Sequence, residues 1–311
     1  MPYVALADAT ADARLSWAAA RWDEVLRTAP HLAPAVALQR ELIALVVRLT
    51  ERIEQGPLPR LSLPPGYLAA KLTKGIPVLA AEPIPLPVSA LKPTLLDLCD
   101  GLARGGAGEA ASNVRTALYE ERLDAGALLT SSVRRDQAAI RTLAVHRGLA
   151  PDLAWLVAEL AASPFVYALQ RRLLASADAR IAAALDAWSH GYCPACGSWP
   201  ALAEMVMGRR LLRCSFCALA WGLPSCACIH CGEAGEPFVT EAPDQRRQDR
   251  RLELCSRCRA YLKAVGVPDL SPFPLLAITD LETMDLDVAA MERGYHRPAL
   301  RDFSGGRSHH E

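Results

Sequence analysis

The sequence predicts a multidomain α+β protein, in which a mainly helical domain precedes two small β-rich metal modules and a short helical tail. Two observations carry this prediction. Apolar side chains recur at helical spacing in the first part of the chain, and nine of the ten cysteines lie between Cys193 and Cys258. The expected domains are a helical domain at 1–188, a first metal module at 189–226, a second module with a C-terminal helix at 227–303, and a disordered tail at 304–311.

The composition argues against a nucleic-acid partner and against membrane insertion. Of 311 residues, 51% are hydrophobic, and 34 Lys and Arg balance 34 Asp and Glu to a formal net charge of +0. Nucleic-acid-binding proteins usually carry a basic excess. The N-terminus lacks the regions of a signal peptide, and no unbroken apolar run approaches the length of a membrane span. We therefore expect a cytoplasmic protein, and in that reducing compartment structural disulfides are rare.

The expected helical domain opens with amphipathic helices. Pro34 suits a first helical turn, and Leu38, Leu42, Leu45 and Leu49 follow at spacings of four, three and four residues. A stripe of this kind indicates a face that is buried in the core.

A proline-rich stretch then interrupts the helical pattern. Residues 57–93 hold nine of the 23 prolines, and because proline is excluded from helix interiors they predict an extended connector. Helical spacing resumes near Thr94. The glycine-rich segment GLARGGAG at 101–108 lacks the Lys-Ser/Thr of a phosphate-binding loop, so we expect a flexible loop there.

Four Cys-x-x-Cys pairs dominate the last part of the chain. Each such turn (a knuckle) places two thiolates on one side of a tight loop. Two knuckles on a β-hairpin framework complete a tetrahedron of sulfur, the ligand set of zinc or of a single iron. Pairing in sequence order predicts a first site at Cys193, Cys196, Cys214 and Cys217 and a second site at Cys228, Cys231, Cys255 and Cys258. A cross-braced arrangement, with the first pair joined to the third, is the alternative. Thioredoxin-like redox chemistry is disfavoured because it expects a single pair.

The two remaining cysteines and His230 are expected to lie outside the ligand sets. Cys226 is left over and is expected to lie beside the second site, although an exchange of the ligand role with Cys228 is an alternative. His230 lies inside the third knuckle and is expected to point away, because four thiolates are already available. Cys99 stands alone in the helical domain and is expected to be a small buried hydrophobe.

The chain ends in a predicted helix. Thr279 and Glu282 form a capping box, and Leu281, Met284, Val288 and Met291 form an apolar stripe at helical spacing that ends at Gly294. We expect this stripe to belong to the core.

These motifs together resemble the formate dehydrogenase accessory or formation proteins, the FdhE family. The matching stretches are GYCPACGSWP at 191–200, RRLLRCSFCALAW at 209–221, CIHCG at 228–232, LCSRCRAYLKAV at 254–265 and DLETMDLDVAAMERGYHRP at 280–298. Each knuckle alone is generic, but the order and spacing of all five stretches are specific to that family. The helical first half carries no motif of its own.

The resemblance implies a cytoplasmic, non-catalytic assembly factor for respiratory formate dehydrogenase that binds the catalytic subunit of that enzyme. It also implies two rubredoxin-like modules, with iron as the favoured metal and zinc as the alternative, held by the eight paired cysteines. The chain departs from a rubredoxin knuckle at Ala218 and Arg259, where glycine is frequent, and this departure leaves both metals open.

Two other functions compete with an accessory role. An iron site with four thiolates could make the protein an electron carrier. A zinc-ribbon nucleic-acid-binding protein could use the polar run DQRRQDRR at 244–251, although its interleaved aspartates are more typical of a solvated loop. A zinc hydrolase is disfavoured because catalytic zinc keeps an open position, whereas four thiolates are available at each site.

Overall fold

The computed structural model describes residues 3–4, 9–59, 61, 63–174, 178–223, 226–244 and 246–301. The chain divides into two compact units. The helical unit comprises the described residues within Asp8–Ser62 and Ala81–Arg172, and the sheet unit comprises those within Met1–Ala7, Leu63–Ala80 and Leu173–Phe303.

The helices and strands follow one another along the chain. The helices are α1 Ala11–Thr28, α2 Ala33–Gln55, α3 Pro65–Thr73, α4 Val88–Leu102, α5 Gly108–Tyr119, α6 Ala125–Val133, α7 Gln137–Val145, α8 Pro151–Leu174, α9 Ala179–Asp186, α10 Leu276–Glu282 and α11 Met284–Glu292. The strands are β1 Tyr3–Val4, β2 Pro200–Val206, β3 Arg209–Cys214, β4 Ala220–Trp221, β5 Phe238–Glu241, β6 Arg250–Cys255 and β7 Tyr261–Gly266.

The helical unit contains α1, α2 and α4 to α8. Side-chain caps fix several helix starts: Thr10 accepts the amide of Ala13 at 3.2 Å, and Asp136 accepts that of Ala139 at 2.8 Å. In the part of the chain that the structure describes, α8 is the one helix long and apolar enough to cross a membrane, and 67% of its apolar window is buried inside the protein. A core helix of a soluble protein has the same properties.

The glycine-rich segment 101–108 joins two helices through a kink, with a non-helical φ of 114° at Gly106, so helical turns occupy most of the expected loop. Helix α4 continues into a π-helical turn at Ala103–Ala107, and α5 begins at Gly108. A Cβ atom at Gly105 would lie 2.4 Å from the side chain of Leu38. The glycine therefore permits close packing of helices rather than flexibility.

The proline-rich stretch 57–93 also differs from the expected extended connector, because it contains helix α3. Pro64 precedes the helix and Pro65 occupies its first turn, where a missing amide proton costs nothing. The next eight residues, GYLAAKLT, are free of proline and complete the helix. Helix α3 packs against α9.

The described strands of the sheet unit form one seven-stranded sheet in the order β1-β4-β3-β2-β7-β6-β5. Strands β2 and β3 form one antiparallel hairpin and β5 and β6 another, and β2 joins β7 in parallel. Each hairpin begins after one knuckle and leads into the next. Because β2 and β7 run in parallel, both pairs of knuckles lie at the same end of the sheet.

The C-terminal helices cover one face of this sheet. Leu252, Leu254 and Tyr261 of the sheet pack against Leu286 and Ala290 of α11 in a buried cluster. Burial of this apolar area anchors the helix to strands β6 and β7.

The opposite face of α11 contradicts the sequence interpretation. Met284, Val288 and Met291 were expected in the core, yet they are exposed to 45%, 45% and 56%. Helix α11 buries Leu286 and Ala290 instead, so the sequence stripe marks its outer face. The tail predicted at 304–311 lies outside the described residues.

Candidate metal centres

The four knuckles share one backbone geometry. In each, the amide of the first cysteine donates to the carbonyl five residues further on, at 2.8–3.0 Å. The donor and acceptor pairs are Cys193 and Ser198, Cys214 and Leu219, Cys228 and Glu233, and Cys255 and Ala260. This common turn holds both thiols of a pair on one side of the loop.

The residue after the second cysteine has a positive φ in all four knuckles. The values are 81° at Gly197, 52° at Ala218, 77° at Gly232 and 59° at Arg259. Glycine adopts this conformation freely, whereas other residues adopt it at a cost of roughly 1–2 kcal/mol. The two positions that lack glycine in the sequence therefore keep the knuckle turn.

Contacts around Arg259 offset this cost. Its Nη2 atom donates to the carbonyl of Arg293 at 2.6 Å, and its guanidinium lies 4.4 Å from the ring centroid of Tyr295. The strained knuckle residue is thereby tied to the segment that follows α11.

The first cluster brings together the thiols of Cys193, Cys196, Cys214 and Cys217, all within 4.8 Å of one another. The Sγ atoms of Cys193 and Cys217 are 3.6 Å apart, and that of Cys196 lies 3.4 Å from Cys214 and 3.8 Å from Cys217. All four side chains are buried. The first cluster is closed to solvent.

The second cluster brings together Cys228, Cys231, Cys255 and Cys258 within the same limit. The Sγ atoms of Cys228 and Cys258 are 3.6 Å apart, as are those of Cys231 and Cys255. Cys231 is exposed and Cys258 is half-buried. The second cluster is therefore open to solvent on one side.

Both clusters group the cysteines in sequence order, not in the cross-braced arrangement. Among the residues that the structure describes, these are the two groups of three or more His, Cys, Asp or Glu side chains that converge in this way. The assignment of the eight cysteines as metal ligands stays a prediction.

Backbone amides point at the sulfur atoms. The amides of Phe216 and Cys217 both donate to the Sγ atom of Cys214 at 3.4 Å. The amides of His230 and Cys231 likewise donate to Cys228. Such donors stabilise a negatively charged sulfur, which is the form that binds metal.

The geometry of each cluster fits one metal ion. A metal–sulfur bond of about 2.3 Å produces a tetrahedron with edges of about 3.8 Å. The Sγ–Sγ distances of 3.4–3.8 Å lie close to this value and far from the bond length of about 2.0 Å in a disulfide. Each cluster could therefore hold a metal ion, and the distances suit iron and zinc alike.

The electrostatics of the first cluster also favour a bound metal ion. Burial and the neighbouring thiols raise the pKa of Cys193 and of Cys217 well above the usual range of a thiol. Four buried thiolates cannot coexist at short distance without a cation, and metal binding supplies one as the protons leave.

A buried ion pair supports the second knuckle. The carboxylate of Glu204 on β2 binds the guanidinium of Arg213 on β3, and both side chains are 0% exposed. Arg213 also donates to the carbonyls of Ser271, at 2.7 Å, and Ala218, at 3.3 Å. Ala218 directly follows Cys217, so this network fixes the turn that presents the Cys217 thiol.

The segment after α3 supports the first knuckle. The amides of Val78 and Leu79 donate to the carbonyls of Pro194 and Ala195 at 2.9 and 3.0 Å. The hydroxyl of Tyr192 donates to the carbonyl of Gly75 at 2.8 Å. These contacts explain why Leu63–Ala80 belongs to the sheet unit.

The first and third knuckles touch each other. The rings of Trp199 and His230 lie 4.5 Å apart at 66°. A Cβ atom at Gly191 would lie only 2.0 Å from the carbonyl oxygen of Ile229, so no larger residue fits there. His230 is thus used in contact between the modules rather than in either cluster, and Cys226, which is exposed, also lies outside both clusters.

Comparisons with known proteins agree with this architecture. No family model matches the chain. It is 28% identical to a protein named FdhE homolog from Aquifex aeolicus (strain VF5) over 132 residues, which is 39% of this chain and 44% of that protein. A second protein named FdhE homolog, from Stutzerimonas stutzeri (strain A1501), is 32% identical over 113 residues, which is 34% of this chain and 36% of the relative.

The likeness to a solved structure covers almost the whole chain. The crystal structure of the FdhE protein from Pseudomonas aeruginosa matches with a TM-score of 0.59 and 23% identity, over 97% of this chain and 98% of the other. These similarities to proteins named FdhE agree with the resemblance seen in the sequence motifs. At this identity the structural match shows a shared fold, and the matched stretch spans less than half the length of each curated FdhE homolog.

The sequence predicted the two groups of cysteines but not the residues that hold the knuckles in place. In the sequence, nothing distinguishes Glu204 and Arg213 from other charged residues. Val78 and Leu79 lie far from the cysteines along the chain. The arginine that directly precedes Cys214 was the one available signal.

Proposed function

We propose that this chain is a cytoplasmic, non-catalytic accessory protein for the assembly of formate dehydrogenase, and that it acts by binding the catalytic subunit of that enzyme. The observation that carries the proposal is the pair of four-cysteine clusters at one end of a continuous sheet, in a fold shared with an FdhE protein over nearly the full chain.

The metal ions have a structural role in this proposal. Cys193, Cys196, Cys214 and Cys217 would hold one ion, and Cys228, Cys231, Cys255 and Cys258 the other. Each ion supplies a closed set of four metal–sulfur bonds, which contributes folding free energy to a small module. Four protein ligands at each ion leave no open position for a catalytic water, which supports a binding role over hydrolysis.

The two modules, 189–226 and 227–303, act together in this proposal. Trp199 of the first module packs on His230 of the second, and β2 pairs with β7 across their boundary. A client would then meet one rigid surface built on both metal ions.

The test is co-purification with a formate dehydrogenase catalytic subunit. Wild-type protein should retain the subunit, and a variant with Cys193→Ser and Cys255→Ser should retain much less because both modules lose their metal. Cys226→Ser is the matched control, since Cys226 is exposed and outside both clusters. Absence of any retained subunit on the wild-type protein would refute the proposal.

An electron carrier is the second candidate function. The exposure of Cys231 in the second cluster supports it, because electron exchange with a partner requires an accessible site. This function needs iron, since zinc has no redox chemistry. A visible absorption that dithionite removes and air restores would support it, and a colourless protein with full metal content would exclude it.

A further inference from the structure

The chain that follows α11 runs across both metal modules. We call residues 293–301 the strap; it begins directly after α11, which ends at Glu292. The strap contacts residues next to a knuckle at each of its ends, and it joins an ion network in its middle. None of its described residues belongs to either cysteine cluster, so these contacts concern the position of the knuckles rather than coordination.

The inner end of the strap lies against the fourth knuckle. The amide of His296 donates to the carbonyl of Arg259 at 2.9 Å, and the amide of Tyr261 donates to the carbonyl of His296 at 3.3 Å. The guanidinium of Arg259 lies 4.4 Å from the ring centroid of Tyr295. Arg259 directly follows Cys258 of the second cluster. The inner end is therefore bound to a residue whose position depends on that cluster.

The outer end of the strap lies against the first knuckle. The Nε1 atom of Trp199 donates to the carbonyl of Ala299 at 2.8 Å. The guanidinium of Arg301 lies 4.8 Å from the ring centroid of Tyr192. Tyr192 directly precedes Cys193 of the first cluster, and the amide of Cys193 donates to the carbonyl of the residue before Trp199. Both contacts of the outer end thus lie beside the turn that carries the first cluster.

The middle of the strap is anchored without the knuckles. The Nη2 atom of Arg297 lies 3.1 Å from a carboxylate oxygen of Asp280 and 2.7 Å from one of Asp287. Its Nε atom donates to the hydroxyl of Tyr261 at 3.2 Å. Because Asp280 and Asp287 belong to α10 and α11, this anchor separates the two ends, and each end can follow its own cluster.

The knuckle turns are the parts of both modules that need metal most. Metal binding supplies folding free energy to a site that thiolates alone cannot hold together. Arg259 has a φ of 59°, a conformation that residues other than glycine adopt at a cost. Without metal we expect this turn to relax, so that the carbonyl of Arg259 leaves the amide of His296. The same reasoning applies to Tyr192 and Trp199 beside the first knuckle.

We propose that the strap closes over both modules only in the fully metal-loaded protein: its inner end follows the second cluster and its outer end follows the first. Loss of either metal would then change a surface outside the clusters, which gives the protein a means to display its metal state. This inference rests on the assignment of the eight cysteines as ligands and is independent of the client.

Hydrogen exchange followed by mass spectrometry tests the inner end in the full chain. In Cys255→Ser, which empties the second cluster, the amide of His296 should exchange faster by about tenfold or more, because its acceptor moves away. The amides of the β6–β7 hairpin are the internal reference, since this ladder does not include the strap, and they should stay protected. Cys226→Ser is the matched control and should leave the exchange of His296 unchanged, because Cys226 lies outside both clusters.

The outer end is followed through the indole proton of Trp199, which donates to Ala299. Its signal is one of six tryptophan indole signals in a proton–nitrogen NMR spectrum, and Trp199→Phe identifies it. In Cys193→Ser, which empties the first cluster, this proton should exchange rapidly with water. The amide of His296 should keep its protection in the same variant, since Arg297 anchors the strap between the two ends.

A serine variant that unfolds its whole module would also release the strap, so the reciprocal test loosens the strap and follows the metal. Arg301→Ala removes the cation above the ring of Tyr192. By linkage, transfer of metal from the first cluster to a chelator should accelerate about two- to fivefold, which corresponds to the loss of one such contact. Arg40→Ala is the matched control, because it removes an arginine that lies over the ring of Trp22 in the helical unit. It should leave both release rates unchanged.

The outcomes separate the strap from the proposed function. Protection of His296 that persists after loss of the second metal would overturn the inner end, and an unchanged release rate in Arg301→Ala would overturn the outer end. Exchange of His296 only together with the whole β6–β7 ladder would show unfolding of the module and would also overturn the strap. Absence of client binding by the wild-type protein would refute the accessory function and leave the strap standing.

Discussion

Replacement of Glu204 by glutamine tests the structural account of the first cluster. The substitution keeps the size of the side chain but removes its charge, and it leaves the guanidinium of Arg213 buried without a counter-ion. Both side chains are 0% exposed. Glu204 also accepts the amide of Ser271 at 3.2 Å through both oxygens, and the glutamine amide has only one acceptor to share between these donors.

The expected loss follows from the burial of the pair. Removal of one partner from a buried ion pair costs about 3–5 kcal/mol, because the remaining charge stays unpaired at low dielectric. At about 1.4 kcal/mol per factor of ten, this is roughly a 100- to 4,000-fold rise in the open population of the β2–β3 hairpin. Glu24→Gln is the surface control: its pair with Arg27 is 57% and 71% exposed, so solvent screens the pair and its loss should leave metal release unchanged.

The assay follows transfer of metal to a coloured chelator. Arg213 precedes Cys214 and donates to the carbonyl after Cys217, so opening of the hairpin should release the metal of the first cluster. Glu204→Gln should strongly accelerate metal release from the first cluster and leave metal release from the second cluster nearly unchanged. Release from the first cluster at the wild-type rate, with an unchanged unfolding temperature, would refute the role given to this ion pair.

Three further predictions concern the clusters themselves. Cys193→Ser and Cys255→Ser should each lose one metal ion per chain by elemental analysis, while Cys226→Ser should keep both; full metal content in the first two would overturn the ligand assignment. In the wild-type protein, a chelator should empty the second cluster before the first, because only the second has exposed and half-buried thiols; release in the reverse order would contradict this reading of accessibility. Gly191→Ala should lower the unfolding temperature by several degrees, since its Cβ atom would meet the carbonyl oxygen of Ile229 at 2.0 Å; an unchanged temperature would show that the two knuckles can separate without cost.

The sequence was sufficient to predict which cysteines form each cluster. Cysteine spacing is a local property, since each Cys-x-x-Cys pair builds its own turn and the sheet brings neighbouring turns together. The alternation of RRLLRCSFC at 209–217 also predicts a strand that runs into the second knuckle, and β3 occupies Arg209–Cys214. Because Ala218 and Arg259 stand where glycine is frequent, the sequence did not decide between iron and zinc. Both residues nevertheless adopt the positive φ of the glycine positions.

Features that depend on distant contacts could not be predicted in this way. Helix α3 lies within a proline-rich stretch, and the docking of Val78 beside Pro194 joins segments more than 100 residues apart. The pairing of β2 with β7, which merges two modules into one sheet, has no local signal either. Tertiary structure decides such features.

Helix α11 shows where periodicity misleads. A helical period indicates that one face is apolar, but it does not indicate what covers that face. Here the small residue Ala290 and the side chain of Leu286 contact the sheet, while Met284 and Met291 face solvent. The expectation that Met284, Val288 and Met291 lie in the core was therefore wrong.

The most direct test of the account is the metal content of the protein purified without oxygen, measured together with its visible spectrum. We expect one metal ion for each of the two clusters, hence two per chain, as iron with a reducible colour or as zinc without colour. A fully folded protein with almost no metal would contradict the central claim that both clusters are metal centres.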